Sequence, residues 1–124
     1  MTVQELYGHA EGAAAGAYAP YSNFFVGAAV LTRDGRVITG VNVENAAYPL
    51  GMCAERCALS RAVAEGVRPG EVEAVAVTAS PCGGCRQWLL EFGVDRLAFM
   101  HKGELRVRTP DELLPESFEL SPSQ

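Results

Sequence analysis

The sequence predicts an α/β fold, a three-layer α/β/α sandwich built on a mixed five-stranded sheet. Three observations carry this reading. The periodic segments succeed one another in the order α-β-β-α-β-α-β-β-α, which alternates helix and strand through the middle of the chain. Val72 to Ala79 is a nearly continuous run of small apolar residues, the pattern of a strand covered on both faces. The strand, helix and strand from Val72 to Met100 call for a right-handed parallel crossover, while tight turns make antiparallel hairpins at the two ends.

Thr2 and Glu5 form a capping box, and the Ala-rich stretch that follows predicts a helix to about Tyr18, where the Ala19-Pro20 step ends it. Strands are expected over Phe25–Thr32 and Arg36–Val43, joined at Arg33-Asp34-Gly35 with glycine where φ turns positive. Beyond an irregular stretch from Glu44 to Met52, a helix runs from Cys53 to about Glu65 and stops at Gly66. After the apolar strand, Cys82 to Phe92 is helical, with Cys85, Trp88, Leu89 and Phe92 along one stripe. Strands at Arg96–Met100 and Glu104–Arg108 flank the turn His101-Lys102-Gly103. Thr109, with Pro110 at the first helical position and Glu112 at the third, caps a short terminal helix. The final Ser121-Pro122-Ser123-Gln124 reads as a loose tail.

A chain of 124 residues is expected to form a single domain, residues 1–124, with one sizeable core. Hydrophobic residues make up 48% and charged residues 20%, a globular balance, and no apolar run approaches the roughly 20 residues of a membrane span. The net charge of −5 and the scattering of the arginines disfavour a nucleic-acid partner. The start, Met1-Thr2-Val3-Gln4-Glu5, lacks a secretory pattern, and the four cysteines look like a metal set rather than disulfides, so a cytoplasmic location is expected.

The chemistry concentrates in Cys53-Ala54-Glu55 and Pro81-Cys82-Gly83-Gly84-Cys85. Thiolates select zinc over hard cations, and three protein ligands leave the fourth tetrahedral position open, as a catalytic zinc site requires. Both segments start helices, whose free N–H groups and dipoles favour thiolates at Cys53, Cys82 and Cys85. Glu55 then stands beside the open position as a proton carrier. Arg56, which in isolation reads as a solvated charge, is suited to donate to the sulfurs and offset the surplus negative charge of three thiolates. Cys57 reads as a small apolar filler, and His9 and His101, lacking spaced partners, as structural or surface residues.

The first cysteine and the Glu two residues on, followed by a Pro-Cys-x-x-Cys, make up the signature of zinc deaminases. With Tyr21-Ser22-Asn23-Phe24, Asn42-Val43-Glu44-Asn45, Cys53-Ala54-Glu55-Arg56, Pro81-Cys82-Gly83-Gly84-Cys85-Arg86-Gln87 and Glu112-Leu113-Leu114-Pro115 in order, the chain resembles the small homotetrameric zinc-dependent cytidine deaminases over nearly its whole length. The resemblance implies one Zn²⁺ per chain and hydrolytic deamination of cytidine and deoxycytidine, a reaction of pyrimidine salvage. Zinc-bound hydroxide would attack C4, and Glu55 would shuttle the protons. It further implies that Phe24 packs against the base and that Asn42 and Glu44 hold the ribose hydroxyls. The Ala54 N–H would meet the base O2, and the backbone at Ser80 would face the leaving group. A homotetramer with shared active sites is implied, with Ala46, Tyr48 and Phe118 donated across the interface. The segment before Pro81 is shorter than in many members of that family, which bears on the pocket rim. Two other readings stand beside this one: a deaminase of a cytosine-nucleoside antibiotic or of nucleic-acid bases, and a non-enzymatic zinc module closed by Cys57 as a fourth ligand.

Overall fold

Five strands, β1 (Gly27–Thr32), β2 (Val37–Val41), β3 (Val72–Val77), β4 (Arg96–His101) and β5 (Glu104–Arg108), form one sheet in the computed structural model, which describes residues 1–120. The tail Ser121–Gln124 lies outside the described residues. The strand order is β2-β1-β3-β4-β5. Antiparallel hairpins β1/β2 and β4/β5 sit at the two ends, β1 pairs antiparallel with β3, and β3 pairs parallel with β4 in the register Val75↔Leu97. This is the mixed sheet that the sequence predicts, with the apolar Val72–Val77 segment as its central strand.

Alternation along β3 separates two cores. Ala74 and Ala76 join Ala29, Leu31 and Ala98 under α1 (Val3–Ala14), which contributes Leu6 and Ala10. Val75 and Val77 point the other way, toward Val30, Ile38, Leu97 and Phe99. That second face is covered by α2 (Ala54–Ala64) through Ala58, Leu59 and Ala62, and by α3 (Gly83–Glu91) through Leu89. Leu113 of the short α4 (Pro110–Leu113) packs on the same side. Helices on both faces make the three layers.

Two glycines set how closely the helices approach the sheet. A Cβ on Gly27 would stand 2.0 Å from the Ala10 carbonyl oxygen of α1. One on Gly40 would stand 2.3 Å from the Ala58 nitrogen and 2.7 Å from the Ala54 carbonyl oxygen of α2. The second contact presses the start of α2, where the cysteine motif lies, directly onto β2.

Both capping boxes form, Thr2 with Glu5 and Thr109 with Glu112. Gly35 (φ +92°) and Gly66 (φ +97°) occupy the left-handed region at the hairpin turn and behind α2, as their positions predict. The first helix, expected to reach Tyr18, ends at Ala14 instead. Tyr18 has left the helix to pair with a distant strand end: its N–H donates to the Asn42 carbonyl at 3.0 Å, and its carbonyl accepts from the Glu44 N–H at 2.8 Å. The hairpin strands are also shorter than expected. β1 starts at Gly27 because the Val26 N–H is taken by the Asn42 side chain at 2.8 Å rather than by a ladder partner. Among the described residues, no helix is long and apolar enough to cross a membrane.

Candidate active site and metal centre

The metal-ligand candidates sit at two helix starts. Cys53 is the N-cap of α2 and Cys82 the N-cap of α3, neither making a side-chain capping bond, and Cys85 lies in the first turn of α3. Their sulfurs are therefore left to each other and to the unpaired N–H groups of the first turns. With α2 and α3 packed on the same face of the sheet, the ligand atoms of Cys53, Cys82 and Cys85 all lie within 4.8 Å of one another. Cys53 Sγ and Cys82 Sγ are 3.8 Å apart. Zn–S bonds of about 2.3 Å at tetrahedral angles require S···S separations of about 3.8 Å, so the donor set fits a single zinc ion. Cys57, one turn further along α2, is not part of the group.

The electrostatics of Cys53 and Cys85 are set largely by each other. Cys53 is pulled down to about 6, chiefly by its hydrogen bond with Cys85, against the opposing effect of burial. The same hydrogen bond, followed by burial, holds Cys85 above the ordinary thiol range. A divalent ion binding here would displace whatever protons the thiols retain. Arg56 supplies the nearest fixed positive charge: its Nη2 donates to Cys82 Sγ at 3.7 Å, and its Nε is buried without a partner. A Cβ at Gly84 would stand 2.2 Å from that Nη2, so this path to the sulfur is open because residue 84 is glycine.

Beside the sulfurs opens a cavity of about 360 Å³, within the roughly 300–1,000 Å³ range of small-molecule clefts. Cys53 and Cys82 line it together with Phe24, Asn42, Glu44, Tyr48, Ala54, Glu55 and Ser80. Glu55 is only 4% exposed, and burial, reinforced by the Cys53 thiolate, pushes its carboxyl up from the ordinary range. Phe24, rather than Phe25, reaches the lining. Ala46 and Phe118 do not; Phe118 is 70% exposed, and its carbonyl accepts from Gln87 Nε2 at 3.2 Å. Tyr48, expected to serve a neighbouring chain, lines the cavity of its own chain while remaining 79% exposed.

Asn42 and Glu44 also have tasks that the sequence did not reveal. The Asn42 amide accepts from the Val26 N–H and donates to the Phe24 carbonyl, both at 2.8 Å. The Glu44 carboxylate accepts from the backbone N–H groups of Tyr21 (3.0 Å) and Ser22 (3.1 Å) and from the Ser22 hydroxyl. Those bonds, the hydroxyl first, hold its carboxyl below the usual range.

Residues 1–101 match the cytidine and deoxycytidylate deaminase zinc-binding region. The chain belongs to this family. It is 46% identical over 127 residues to a cytidine deaminase of Halalkalibacterium halodurans, covering 95% of each chain. Over 121 residues it is 48% identical to one of Mycobacterium tuberculosis, covering 93% of this chain and 88% of the relative. Among solved structures, a cytidine deaminase from Burkholderia pseudomallei superposes with a TM-score of 0.88 at 48% identity, over 95% of this chain and all of the other. The three-layer fold and the cysteine group are those of a zinc-binding deaminase.

Proposed function

We propose that this chain is a hydrolytic deaminase of cytidine and deoxycytidine, converting them to uridine and deoxyuridine with release of ammonia. The observation that carries the reading is a buried Glu55 carboxyl two residues from a metal-ligand cysteine, in the wall of the cavity that Cys53 and Cys82 also line. When bound, zinc supplies the Lewis acidity that makes water a nucleophile near neutral pH. Glu55 takes a proton from the attacking water and delivers it to N3 of the base, then passes a second proton to the departing amino group. Water and cytidine thereby become uridine and ammonia. The raised affinity of Glu55 for a proton suits both acceptance and donation.

Binding falls to the rest of the lining. Phe24 packs on the base, the Ala54 N–H meets O2, and the backbone at Ser80 faces the leaving group. Glu44, assisted by Asn42, holds the ribose hydroxyls. Arg56 tempers the charge of the thiolates through its bond to Cys82. In the same reading the 124 residues make one catalytic domain, the protein is a cytoplasmic homotetramer serving pyrimidine salvage, and Ala46, Tyr48 and Phe118 complete neighbouring pockets. The exposure of Tyr48, Leu50 and Phe118, each above two thirds, supports a covering partner. Cys57, lying outside the sulfur group, argues against a closed four-ligand structural site.

The test is ammonia release from cytidine by purified, zinc-loaded protein. Zinc-dependent turnover is expected. A zinc-loaded protein that leaves cytidine and deoxycytidine intact would reject the reading.

A further inference from the structure

The Tyr18–Phe24 loop is tied to the Asn42–Glu44 segment by several hydrogen bonds, and the Ser22 hydroxyl is the group that touches both the Glu44 carboxylate and the Phe24 backbone. Ser22 Oγ donates to Glu44 Oε2 and accepts from the Phe24 N–H at 2.9 Å. Glu44 Oε1 is occupied by the Tyr21 and Ser22 N–H groups, and the Phe24 carbonyl is held from the other side by Asn42 Nδ2 at 2.8 Å. Asn23, between them, adopts a left-handed φ of +57°, so the loop depends on these bonds rather than on a relaxed backbone.

We propose that Ser22 is a positioning residue that sets the Glu44 carboxylate and the Phe24 backbone in one geometry, so that the polar and aromatic walls of the cavity are placed together. This rests on the cytidine deaminase reading above. A carboxylate offers about four acceptor positions, and three are taken by Tyr21 and Ser22, which leaves one on Oε2 for a substrate hydroxyl. The direction of that remaining lone pair is fixed by where the Ser22 hydroxyl sits. Without the hydroxyl, the carboxylate keeps its two backbone donors but is free to turn, and the Phe24 N–H loses its acceptor. The side chain itself is exposed and touches no sulfur ligand, so its influence is on binding rather than on proton transfer.

The experiment is steady-state deamination of cytidine by zinc-loaded wild type, Ser22→Ala, Ser22→Thr, Glu44→Gln and the Ser22→Ala/Glu44→Gln double variant. Ser22→Ala should raise KM about fivefold or more while kcat stays within about twofold, the signature of lost binding without lost chemistry. Ser22→Thr, which keeps the hydroxyl, should restore KM to within about twofold of wild type. In the double variant, KM should lie close to that of Glu44→Gln alone, because both changes break the same link. An unchanged KM in Ser22→Ala, a Thr variant as impaired as the Ala variant, or fully multiplicative effects would each overturn the assignment. So would a Ser22→Ala protein that loses zinc or its far-ultraviolet dichroism, since Ser22 would then serve folding. A wild type that releases no ammonia from cytidine removes the deaminase reading as well, whereas wild-type turnover with a normal Ser22→Ala KM removes this proposal alone.

Discussion

Gly40 and Ala58 meet backbone to backbone: a Cβ on the glycine would lie 2.3 Å from the Ala58 nitrogen. The same absent atom would lie 2.7 Å from the carbonyl oxygen of Ala54, the residue between Cys53 and Glu55. Strand β2 therefore fixes the height of the helix that presents Cys53 of the sulfur group and the buried Glu55. Gly40→Ala should destabilise the protein by roughly 1–3 kcal/mol, as overpacking does, and should lower zinc content or turnover at temperatures where the fold survives. Thermal unfolding together with metal analysis checks this; a variant with normal melting and full activity would show that α2 is free to shift.

Glu55→Gln preserves the size of the side chain and its place in the first turn of α2 while removing proton transfer. Zinc should remain bound, and kcat for cytidine should fall by at least about 10²–10⁴-fold. Retained zinc with near-normal turnover would assign Glu55 a structural role only.

Replacing Cys57 by Ala should leave zinc stoichiometry and activity largely intact, since its sulfur stands apart from the group of three. Replacing Cys53 by Ala should remove most bound zinc, because two thiolates hold the ion far less well than three. The assignment fails if the metal follows residue 57 rather than residue 53.

Arg33 and Asp95 make two parallel hydrogen bonds at 2.9 and 3.0 Å, joining the β1/β2 turn to the entry of β4. The Arg33 guanidinium holds the Asp95 carboxyl below the usual range. A depressed folded-state value means that the pair's contribution is present above the ordinary aspartate range and is lost as pH falls through the lower folded value. Asp95→Asn should therefore lower stability slightly at neutral pH and flatten its decline on acidification. Denaturant titrations between about pH 7 and 3 test it, and parallel curves for the two proteins would show that the pair contributes nothing.

The elements that sequence periodicity revealed are those whose burial is decided locally. Val72–Val77 is apolar except at Glu73 because both faces are largely covered, and α3 shows its stripe because Cys85 and Leu89 are fully buried. The cysteine group was legible for a similar reason: sulfur chemistry and helix-start spacing are both written in a few adjacent residues. The end of α1 was not, since Tyr18 stops being helical only by pairing with Asn42 and Glu44, more than twenty residues away. The tasks of Ser22 and Gly84 were not legible either. A serine in a loop looks like any turn residue until the Glu44 carboxylate is seen against it, and Gly84 reads only as part of a fixed helix start until the Arg56 guanidinium is found where its side chain would have been.

The two helix starts that carry the sulfurs are separated by 29 positions in the chain, from Cys53 to Cys82, and that span includes all of α2 and β3. An ion gripping both ends is a cross-link as well as a reagent. By analogy with a disulfide closing a loop of that length, it would restrict the unfolded chain to the extent of about 3–4 kcal/mol. Chelation would then act like cutting a stitch: the seam between the β1/β2 hairpin with its helix and the parallel half of the sheet would open more readily, and an idle enzyme would also be a looser one.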